Sequence, residues 1–240
     1  MKIGAITNAF NCARWIDGCV RQFVGLDIDH MILCNHLSWN GNIDWDMNTV
    51  KLALQSGADV KFGFWKSAQD QFNWGLRWFE DRGYDWVMLV DADERWTARD
   101  LSILMRELAV TDREVVRAAK HLVYWKTPEY RIDPPPTDIP FVAFRPHVRV
   151  RNIRWPGSMQ PLWSRALMHH LSYVRTDEEM LAKLTVNDDY RGRNRAALEW
   201  WYEERWLGWT PELEDLHPTH PSQFKRAIYD PAPAEIIGLL

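Results

Sequence analysis

Three acidic side chains directly follow a run of apolar residues in the segment WVMLVDADERW, residues 86–96. Asp91, Asp93 and Glu94 would therefore stand at the end of a buried strand, where an unpaired charge is costly. Side chains two positions apart on a strand point the same way, which predicts that Asp91 and Asp93 face one point. Two carboxylates in that position need a cation between them, and their oxygen atoms suit Mg²⁺ or Mn²⁺.

The acidic pair also indicates a class of ligand. Magnesium is commonly held by one or two carboxylates together with substrate phosphates, so the pair predicts a metal-bound diphosphate and hence a nucleotide-linked substrate. A calcium-binding EF-hand loop is disfavoured, because its third acidic position and its glycine are missing. The alternative interpretation, an acidic pair that caps the following helix, stays open.

The elements that must position these carboxylates alternate between strand and helix. Apolar runs predict strands at 2–7, 30–35, 58–64 and 86–90. Helical periodicity predicts helices at 13–24, 47–57 and 67–81. This alternation is typical of an α/β fold with a parallel, doubly wound sheet. Ligands of such sheets bind at the carboxyl ends of the strands, so the segments TNAFN, CNHLSWN, FWKS and VDADE are expected to converge on one crevice.

The alternation ends after Arg106. Residues 113–125 and 141–151 have strand-like patterns, and three consecutive prolines predict an extended loop at 131–140. Further helices are expected from Thr176 and over 196–209, and the proline-rich last thirty residues predict a wrapping tail. The second half therefore adds a helical, Pro-rich C-terminal extension to the α/β core.

The composition bounds the class of protein. A chain of 240 residues with 46% hydrophobic residues forms one large domain, or a core domain with a small appendage. The formal net charge of −4 argues against non-specific coating of nucleic acid. Three cysteines, Cys12, Cys19 and Cys34, have no metal-type spacing and predict reduced thiols. The 15 tryptophans are expected mainly in the core, with stacking against sugars as the alternative.

At this point the chain resembles a known family. TNAFN after the first strand, FNWGLRW before the fourth and VDADE at its end are similar to the nucleotide-sugar-dependent glycosyltransferases of the GT-A fold, most nearly the family-2 type with its Asp-x-Asp motif. Residues 73–76 match the Asn-x-Gly-Leu segment of that family, and residues 170–184 resemble a later segment of many bacterial and phage members. The similarity covers residues 2–185. It implies a Rossmann-like GT-A fold, a mainly parallel sheet flanked by helices.

The resemblance also implies domain limits and a location. Residues 1–185 would form the glycosyltransferase core, with a nucleotide-binding half at 1–96 and an acceptor half at 97–185. Residues 186–240 would form a helical and extended C-terminal region. No leader or membrane span is evident, so we expect a soluble, cytoplasmic protein of a bacterium or a phage-infected host.

The family implies roles for matching residues. Asp91 would contact the metal or the ribose side of the donor, Asp93 would bind the metal, and His170 would complete the metal shell, with His169 as a competing candidate. The residues expected along the nucleotide or its diphosphate are Thr7, Asn8, Asn11, Asn35, Lys66 and Asn73.

One family feature is missing. Many members carry a carboxylate that deprotonates the acceptor hydroxyl, but Gln160 stands at the corresponding position, and an amide cannot act as a base at neutral pH. Asp177, Glu178, Asp138 and Glu94 are the remaining candidates. Asp177 and Glu178 stand in the first turn of a predicted helix, where acidic residues complement the helix dipole. The general base therefore stays undetermined.

The prediction for function is an enzyme, a hexosyltransferase or related glycosyltransferase that uses Mn²⁺ or Mg²⁺ and a UDP- or GDP-linked sugar. The acceptor would be a glycan, a small molecule or, as a further candidate, a hydroxymethylated base of phage-type DNA. The DNA candidate comes from residues 139–176, which contain arginines and aromatic residues but no Asp or Glu. A nucleotidyltransferase and a non-catalytic nucleotide-sugar or glycan-binding protein are the alternatives.

Overall fold

A computed structural model describes residues 1–37, 46–186 and 194–240, and in these ranges the chain forms two β-sheets with packed helices. In chain order the strands are β1 (Ile3–Ala9), β2 (Ile28–Asn35), β3 (Asp59–Gly63), β4 (Trp86–Leu89), β5 (Glu94–Arg95), β6 (Val115–Arg117), β7 (Lys120–Trp125), β8 (Thr127–Asp133), β9 (Phe141–Phe144), β10 (Leu162–Trp163), β11 (Leu167–Tyr173) and β12 (Arg226–Tyr229). The helices are α1 (Ala13–Arg21), α2 (Met47–Gln55), α3 (Ala68–Glu80), α4 (Ala98–Val110), α5 (Asp177–Val186), α6 (Arg195–Trp201) and α7 (Ala234–Ile237).

The larger sheet has the strand order β10-β6-β9-β4-β1-β2-β3. Strand β1 pairs in parallel with β2 and β4, and β2 pairs in parallel with β3. Strand β9 is antiparallel to both of its neighbours, β4 and β6. The chain therefore has a mixed α/β fold whose central sheet is mainly parallel and flanked by helices, which confirms the predicted fold class.

Helices cover both faces of this sheet because the side chains of β1 and β4 alternate between two apolar clusters. Ile3 and Trp86 belong to the cluster that also contains residues of α1 and α4. Ile6 and Leu89 belong to the cluster that contains the apolar residues of α3. Gly75 brings α3 close to β1, since a Cβ atom at that position would lie 2.6 Å from Cδ1 of Ile6.

Side-chain caps define where three of the helices begin. Asp46 accepts a hydrogen bond from the Asn48 N–H at 2.9 Å at the start of α2. Ser67 accepts from the Asp70 N–H at 3.1 Å at the start of α3. Thr97 accepts from the Asp100 N–H at the start of α4, also at 3.1 Å. Each cap satisfies a backbone N–H that has no partner within its own helix.

The second sheet has the order β12-β8-β7-β11-β5 and differs from the pattern expected of the sequence. The expectation of one strand over 113–125 is wrong, because β6 lies in the first sheet and β7 in the second. The chain changes sheet at Ala118 and Ala119, where the Ala119 N–H donates to the carbonyl of Ala166 at 2.8 Å. The strand-like pattern over 141–151 likewise holds only for Phe141–Phe144. The predicted loop at 131–140 begins inside β8, which continues to Asp133.

The C-terminal residues pack on the second sheet. Strand β12 pairs with β8, and α6 continues into a π-helical segment at Tyr202–Leu207. Trp201 and Trp206 of this region are buried with Trp125 of β7 in one apolar cluster. Many of the tryptophans thus lie in the core, as expected. Within the described residues no helix has the length and apolar character needed to cross a membrane. The division at residue 185 stays a prediction.

Histidine 30 lies buried in β2, and burial lowers its pKa to about 3. Its Nε2 atom is 2.9 Å from Oγ1 of Thr7. Between pH 7 and pH 5 the unfolded chain takes up a proton on this ring and the folded chain does not, so the free energy of unfolding should fall as the pH is lowered. From an ordinary histidine pKa of about 6.5, the contribution at pH 5 is roughly 2 kcal/mol.

The variant His30→Gln should lose this part of the pH dependence, measured by urea unfolding at pH 7 and pH 5. The matched control is His147→Gln, because His147 is 56% exposed. An unchanged difference between the two pH values in the His30 variant would contradict the prediction. Burial also lowers the pKa of His121 and of His169, so some of the pH dependence will remain.

Candidate functional site

A cavity of about 760 Å³ lies at the carboxyl ends of β1 and β4 and extends to the second sheet. Its volume is in the range of small-molecule sites. The acidic residues that line it are Asp46, Asp91, Asp93, Asp138 and Glu179. The Lys and Arg residues that line it are Arg14, Arg175 and Lys183. Residues of the predicted strand-end segments TNAFN, CNHLSWN and VDADE line the cavity, whereas no residue of FWKS does. Residues 38–40 of CNHLSWN lie outside the described ranges.

The segment Asp91–Glu94 is a turn rather than the end of a strand. Strand β4 ends at Leu89, and the Glu94 N–H donates to the carbonyl of Asp91 at 2.9 Å. The alternation of side chains on a strand does not apply in a turn. Strand alternation therefore gives no support to the expectation that Asp91 and Asp93 face one point. Both carboxylates line the cavity, but they have different partners.

The partner of Asp91 is the guanidinium of Arg154, whose Nη2 lies 2.8 Å from Oδ1 of Asp91. The same guanidinium donates to both carboxylate oxygens of Glu94, at 2.8 and 2.9 Å. Glu94 and Arg154 are 2% and 3% exposed, whereas Asp91 is 44% exposed. Burial raises the pKa of Glu94, and the charge of Arg154 opposes that effect. Two buried groups thus hold Asp91 at the cavity wall.

Glu94 fixes the backbone as well. Its Oε2 atom accepts a hydrogen bond from the Asp91 N–H at 2.9 Å. Arg154 has a φ of 48°, in the left-handed region, and it lies in a tight turn where Asn152 and Trp155 form a β-bridge. An Arg in that conformation is uncommon, so the surrounding contacts must hold it there.

Asp93 lies among cationic and imidazole groups. Its Oδ1 is 3.3 Å from Nε2 of His170, and its Oδ2 is 3.6 Å from Nη2 of Arg175. Burial alone would raise the pKa of Asp93, but His170, Lys183 and Arg175 outweigh burial and hold the pKa well below its usual range. Asp93 is therefore a carboxylate throughout the neutral range.

His170 and His169 have different environments because neighbouring residues of β11 point to opposite faces. His170 lines the cavity. His169 is 3% exposed, and its Nδ1 lies 2.9 Å from the hydroxyl of Tyr124. Between these two candidates the structure places His170 beside Asp93.

Asp93 and His170 are of the residue types that could bind a divalent cation together, whereas Asp91 forms an ion pair with Arg154. The Nδ1 atom of His170 is 2.7 Å from Nε2 of His121, and burial lowers the pKa of His121 well below its ordinary value. A metal ion would take the place of the proton on Nε2, while Nδ1 of His170 would still donate to His121, so that the Nε2 lone pair would face the metal beside Asp93. No group of three or more His, Cys, Asp or Glu side chains in the described ranges is arranged around one metal position. The protein would thus supply two ligands.

The residues expected along the nucleotide divide into two groups. Asn8 and Asn11 line the cavity, and both amide atoms of Asn8 are buried without a hydrogen-bond partner among the described residues. The unpaired amide favours a ligand or water at Asn8, because an unsatisfied buried polar group is costly. Asn11 accepts from the Asp46 N–H at 2.7 Å through its Oδ1 atom.

The other four do not line the cavity. Thr7 is fully buried and bonded to His30. Asn35 exchanges two hydrogen bonds with the backbone of Trp65, and Asn73 exchanges two with the backbone of Val150. Lys66 is exposed outside the cavity lining. Asn35 and Asn73 therefore position loops. The structure gives no support to a nucleotide contact for these two residues, for Thr7 or for Lys66.

Of the candidates for a general base, Asp138 lines the cavity. Asp177 accepts a hydrogen bond from Nε1 of Trp206 at 2.8 Å, at the start of α5. Glu178 stands exposed in the same first turn, which Thr176 and Glu179 close through reciprocal hydrogen bonds as a capping box. Gln160 lies in a separate, smaller cavity. The structure thus gives Asp138 access to a substrate in the main cavity.

Several residues of the site were not assigned to it from the sequence. Arg154 and Arg175 belong to the basic run, of which one or two arginines are expected to neutralise the donor diphosphate, but the sequence does not say which. It assigns no role to His121 or to Lys183. Lys183 lines the cavity from α5. A signal for Arg154 existed in the buried Glu94, which needs a cationic partner, but the sequence does not say which arginine provides it.

Four arginines of the basic run at residues 139–176 form ion pairs with acidic residues of the chain. Arg149 pairs with Glu80, and Arg165 pairs with Glu107 at 2.9 Å. Arg154 and Arg175 pair with acidic residues of the turn at 91–94. These pairs give no support to a continuous basic groove, and the DNA acceptor stays a prediction without a contact that favours it.

No protein-family model and no curated protein matches the chain. The similar solved structures include the mannosyltransferase PcManGT from Pyrobaculum calidifontis in complex with GDP-Man and Mn²⁺, at 15% identity and a TM-score of 0.41, which covers 60% of this chain and 44% of that one. Residues 1–349 of TarS from S. aureus in complex with UDP-GlcNAc match at 14% identity and a TM-score of 0.35, covering 53% of this chain and 35% of that one.

A third similar structure is that of a synthase. The 4-diphosphocytidyl-2C-methyl-D-erythritol synthase from Anaerococcus prevotii matches at 12% identity and a TM-score of 0.42, covering 76% of this chain and 95% of that one. The chain thus spans less than half of the length of PcManGT and of the TarS fragment. Overlaps of this size and identity assign no activity.

Proposed function

We propose that the chain is a glycosyltransferase that transfers a sugar from a UDP- or GDP-linked donor to an acceptor hydroxyl, with Mn²⁺ or Mg²⁺ as cofactor. The observation that supports it is the grouping of Asp93 and His170 with Arg175 and Lys183 in the cavity at the carboxyl end of a parallel sheet. A carboxylate and an imidazole suit a divalent cation, and two adjacent cationic side chains suit a diphosphate.

The residues of the site would have two roles, which are to bind the donor and to stabilise the negative charge of the leaving diphosphate. Asp93 and His170 would hold the metal ion, which when bound would neutralise the negative charge of the leaving diphosphate. Arg175 and Lys183 would stabilise the same charge from the protein side. Asn8, with its two unpaired amide atoms, would bind the nucleotide. Asp91, held in place by Arg154, would accept hydrogen bonds from the ribose hydroxyls.

Asp138 is proposed as the base for the acceptor hydroxyl. The hydroxyl oxygen forms a bond to the anomeric carbon, and the bond from that carbon to the diphosphate oxygen breaks. The hydroxyl proton passes to the Asp138 carboxylate and then to solvent. Gln160 is too weakly basic for this role and lies outside the main cavity.

A screen of UDP- and GDP-sugars by thermal shift, with and without Mn²⁺, tests donor binding. A donor at about 100 times its dissociation constant should stabilise the fold by about 2.7 kcal/mol, and we expect this shift to require Mn²⁺. No shift with any donor in the presence of Mn²⁺ or Mg²⁺ would contradict the proposal.

Product analysis separates the proposed activity from its alternatives. Release of a nucleoside diphosphate from the bound donor, increased by acceptor, supports sugar transfer. Release of pyrophosphate from a nucleoside triphosphate and a sugar phosphate identifies a nucleotidyltransferase instead. Donor binding without turnover under a panel of acceptors identifies a non-catalytic binding protein.

A further inference from the structure

A second cavity, of about 370 Å³, lies beside β6, β9 and β10 and is separate from the site described above. Its lining includes Arg117, Phe141, Trp155, Ser158, Gln160 and Trp163. Arg117 and Trp163 are the last residues of β6 and β10, and Phe141 is the first residue of the antiparallel strand β9. The cavity therefore opens at the same edge of the sheet as the main cavity, at which ligands of α/β sheets bind.

Among the described residues Arg117 is the only Lys or Arg that lines this cavity, and no described Asp or Glu pairs with it. Its guanidinium carbon lies 4.1 Å from the ring centre of Phe141 and 5.4 Å from that of Trp163. In the described part of the chain its side chain has neither an ion pair nor a hydrogen bond, and its Nε atom is buried without a partner. No Asp or Glu lines the cavity. An arginine held on aromatic rings without a carboxylate is suited to an anionic ligand.

Two exposed indole rings form the rest of the surface. Trp155 is 46% exposed and Trp163 is 55% exposed. Exposed aromatic rings that are grouped with polar side chains are a feature of ligand-binding surfaces. Their faces suit the C–H groups of a sugar ring, and Gln160 and Ser158 provide amide and hydroxyl groups for sugar hydroxyls.

A single turn separates this cavity from the main one. Ile153 lines the main cavity and Trp155 lines the second. The turn is held by the Arg151 N–H, which donates to the carbonyl of Trp155 at 2.7 Å. Residues two positions apart have Cα atoms at most about 7 Å apart, so the linings of the two cavities come close to each other at this turn.

We propose that the second cavity binds a sugar unit that carries a carboxylate, as part of the acceptor glycan. The Arg117 guanidinium binds the carboxylate, and the indoles of Trp155 and Trp163 pack against the sugar ring. The role as an acceptor subsite rests on the proposed glycosyltransferase function, whereas binding of the acidic sugar itself does not. The acceptor class is thus an acidic glycan.

Titration of the ¹⁵N-labelled full chain with methyl glucuronide, followed through the tryptophan indole N–H signals, tests the proposal. The neutral methyl glucoside is the matched ligand. We expect the uronide to shift the indole signals of the cavity and to bind at least tenfold more tightly than the glucoside. Trp163→Ala and Arg117→Met should each weaken uronide binding at least tenfold. Trp200→Ala should leave it unchanged, because Trp200 is equally exposed, at 54%, outside the cavity.

Three results would overturn the proposal. The first is that the uronide does not bind, and the second is that it binds equally well to the wild type and to Trp163→Ala. The third is that a short single-stranded oligonucleotide binds more tightly than the uronide and that this binding depends on Trp163. Asp93→Asn should retain uronide binding, since the carboxylate lies in the main cavity. Retained uronide binding in a chain that binds no sugar nucleotide would refute the proposed transferase function and leave the acidic-sugar site in place.

Discussion

Replacing Arg154 by methionine is expected to lower the free energy of unfolding by about 3–5 kcal/mol, because the change leaves the buried carboxylate of Glu94 without its partner. Arg154 is 3% exposed and Glu94 is 2% exposed, and two hydrogen bonds of 2.8 and 2.9 Å join them. Urea unfolding at pH 7 measures the loss.

Two further variants test the cause. The double variant Glu94→Met with Arg154→Met should recover most of the lost stability, since apolar side chains of similar volume can replace a buried ion pair. Arg149→Met removes an arginine from an ion pair with Glu80 that is 33% and 39% exposed, and it should cost less than about 1 kcal/mol. If Arg154→Met were as stable as the wild type, the Glu94 side chain would have to be uncharged in the folded chain.

Replacing Asp93 by asparagine is expected to lower the rate of sugar transfer about 10²–10³-fold and to abolish the Mn²⁺-dependent thermal shift with donor. The substitution keeps the shape of the side chain but removes the negative charge beside His170 and Arg175. The measurement is the release of nucleoside diphosphate under saturating donor, together with the melting temperature in the presence and absence of Mn²⁺.

The control for this change is Asp112→Asn, at a side chain that is 98% exposed. It should leave both the rate and the Mn²⁺ dependence unchanged. If Asp93→Asn retained wild-type turnover in a folded chain, the assignment of the metal to Asp93 and His170 would be wrong. If it lost turnover but kept the Mn²⁺-dependent shift, Asp93 would act on the substrate rather than on the metal.

The first half of the fold could be predicted because its signals are local. Each of the strands β1 to β4 and the helices between them has its own periodicity, and parallel pairing of successive strands follows from the alternation. The second sheet depends on pairing across long distances. Strand β5 has only two residues, Glu94 and Arg95, and no pattern of two residues can predict that it pairs with β11.

The candidate site was predictable only in part, for the same reason. The resemblance predicts that Asp91, Asp93 and His170 bind one metal ion, and the structure places two of these three, Asp93 and His170, side by side. The partner of Asp91 was expected to be a metal ion, but the structure provides Arg154, 63 positions later in the chain. Thr7 of β1 and Asn73 of α3 are polar residues that bond to buried polar groups of the fold, and the sequence does not distinguish such a residue from one that binds a ligand.

The close packing of Gly18 links the end of the chain to the main cavity. A Cβ atom at this position would lie 1.8 Å from the carbonyl oxygen of Leu239. Gly18 belongs to α1, whose first residues line the cavity. The guanidinium of Arg95 joins the same two parts, since it donates to the carbonyls of Trp15 and Leu239 at 2.9 and 3.3 Å. An engineer who shortens or replaces the C-terminal tail would therefore disturb the wall that shapes the substrate space, and the tail also contributes His217, Gln223 and Phe224 to the lining of that space.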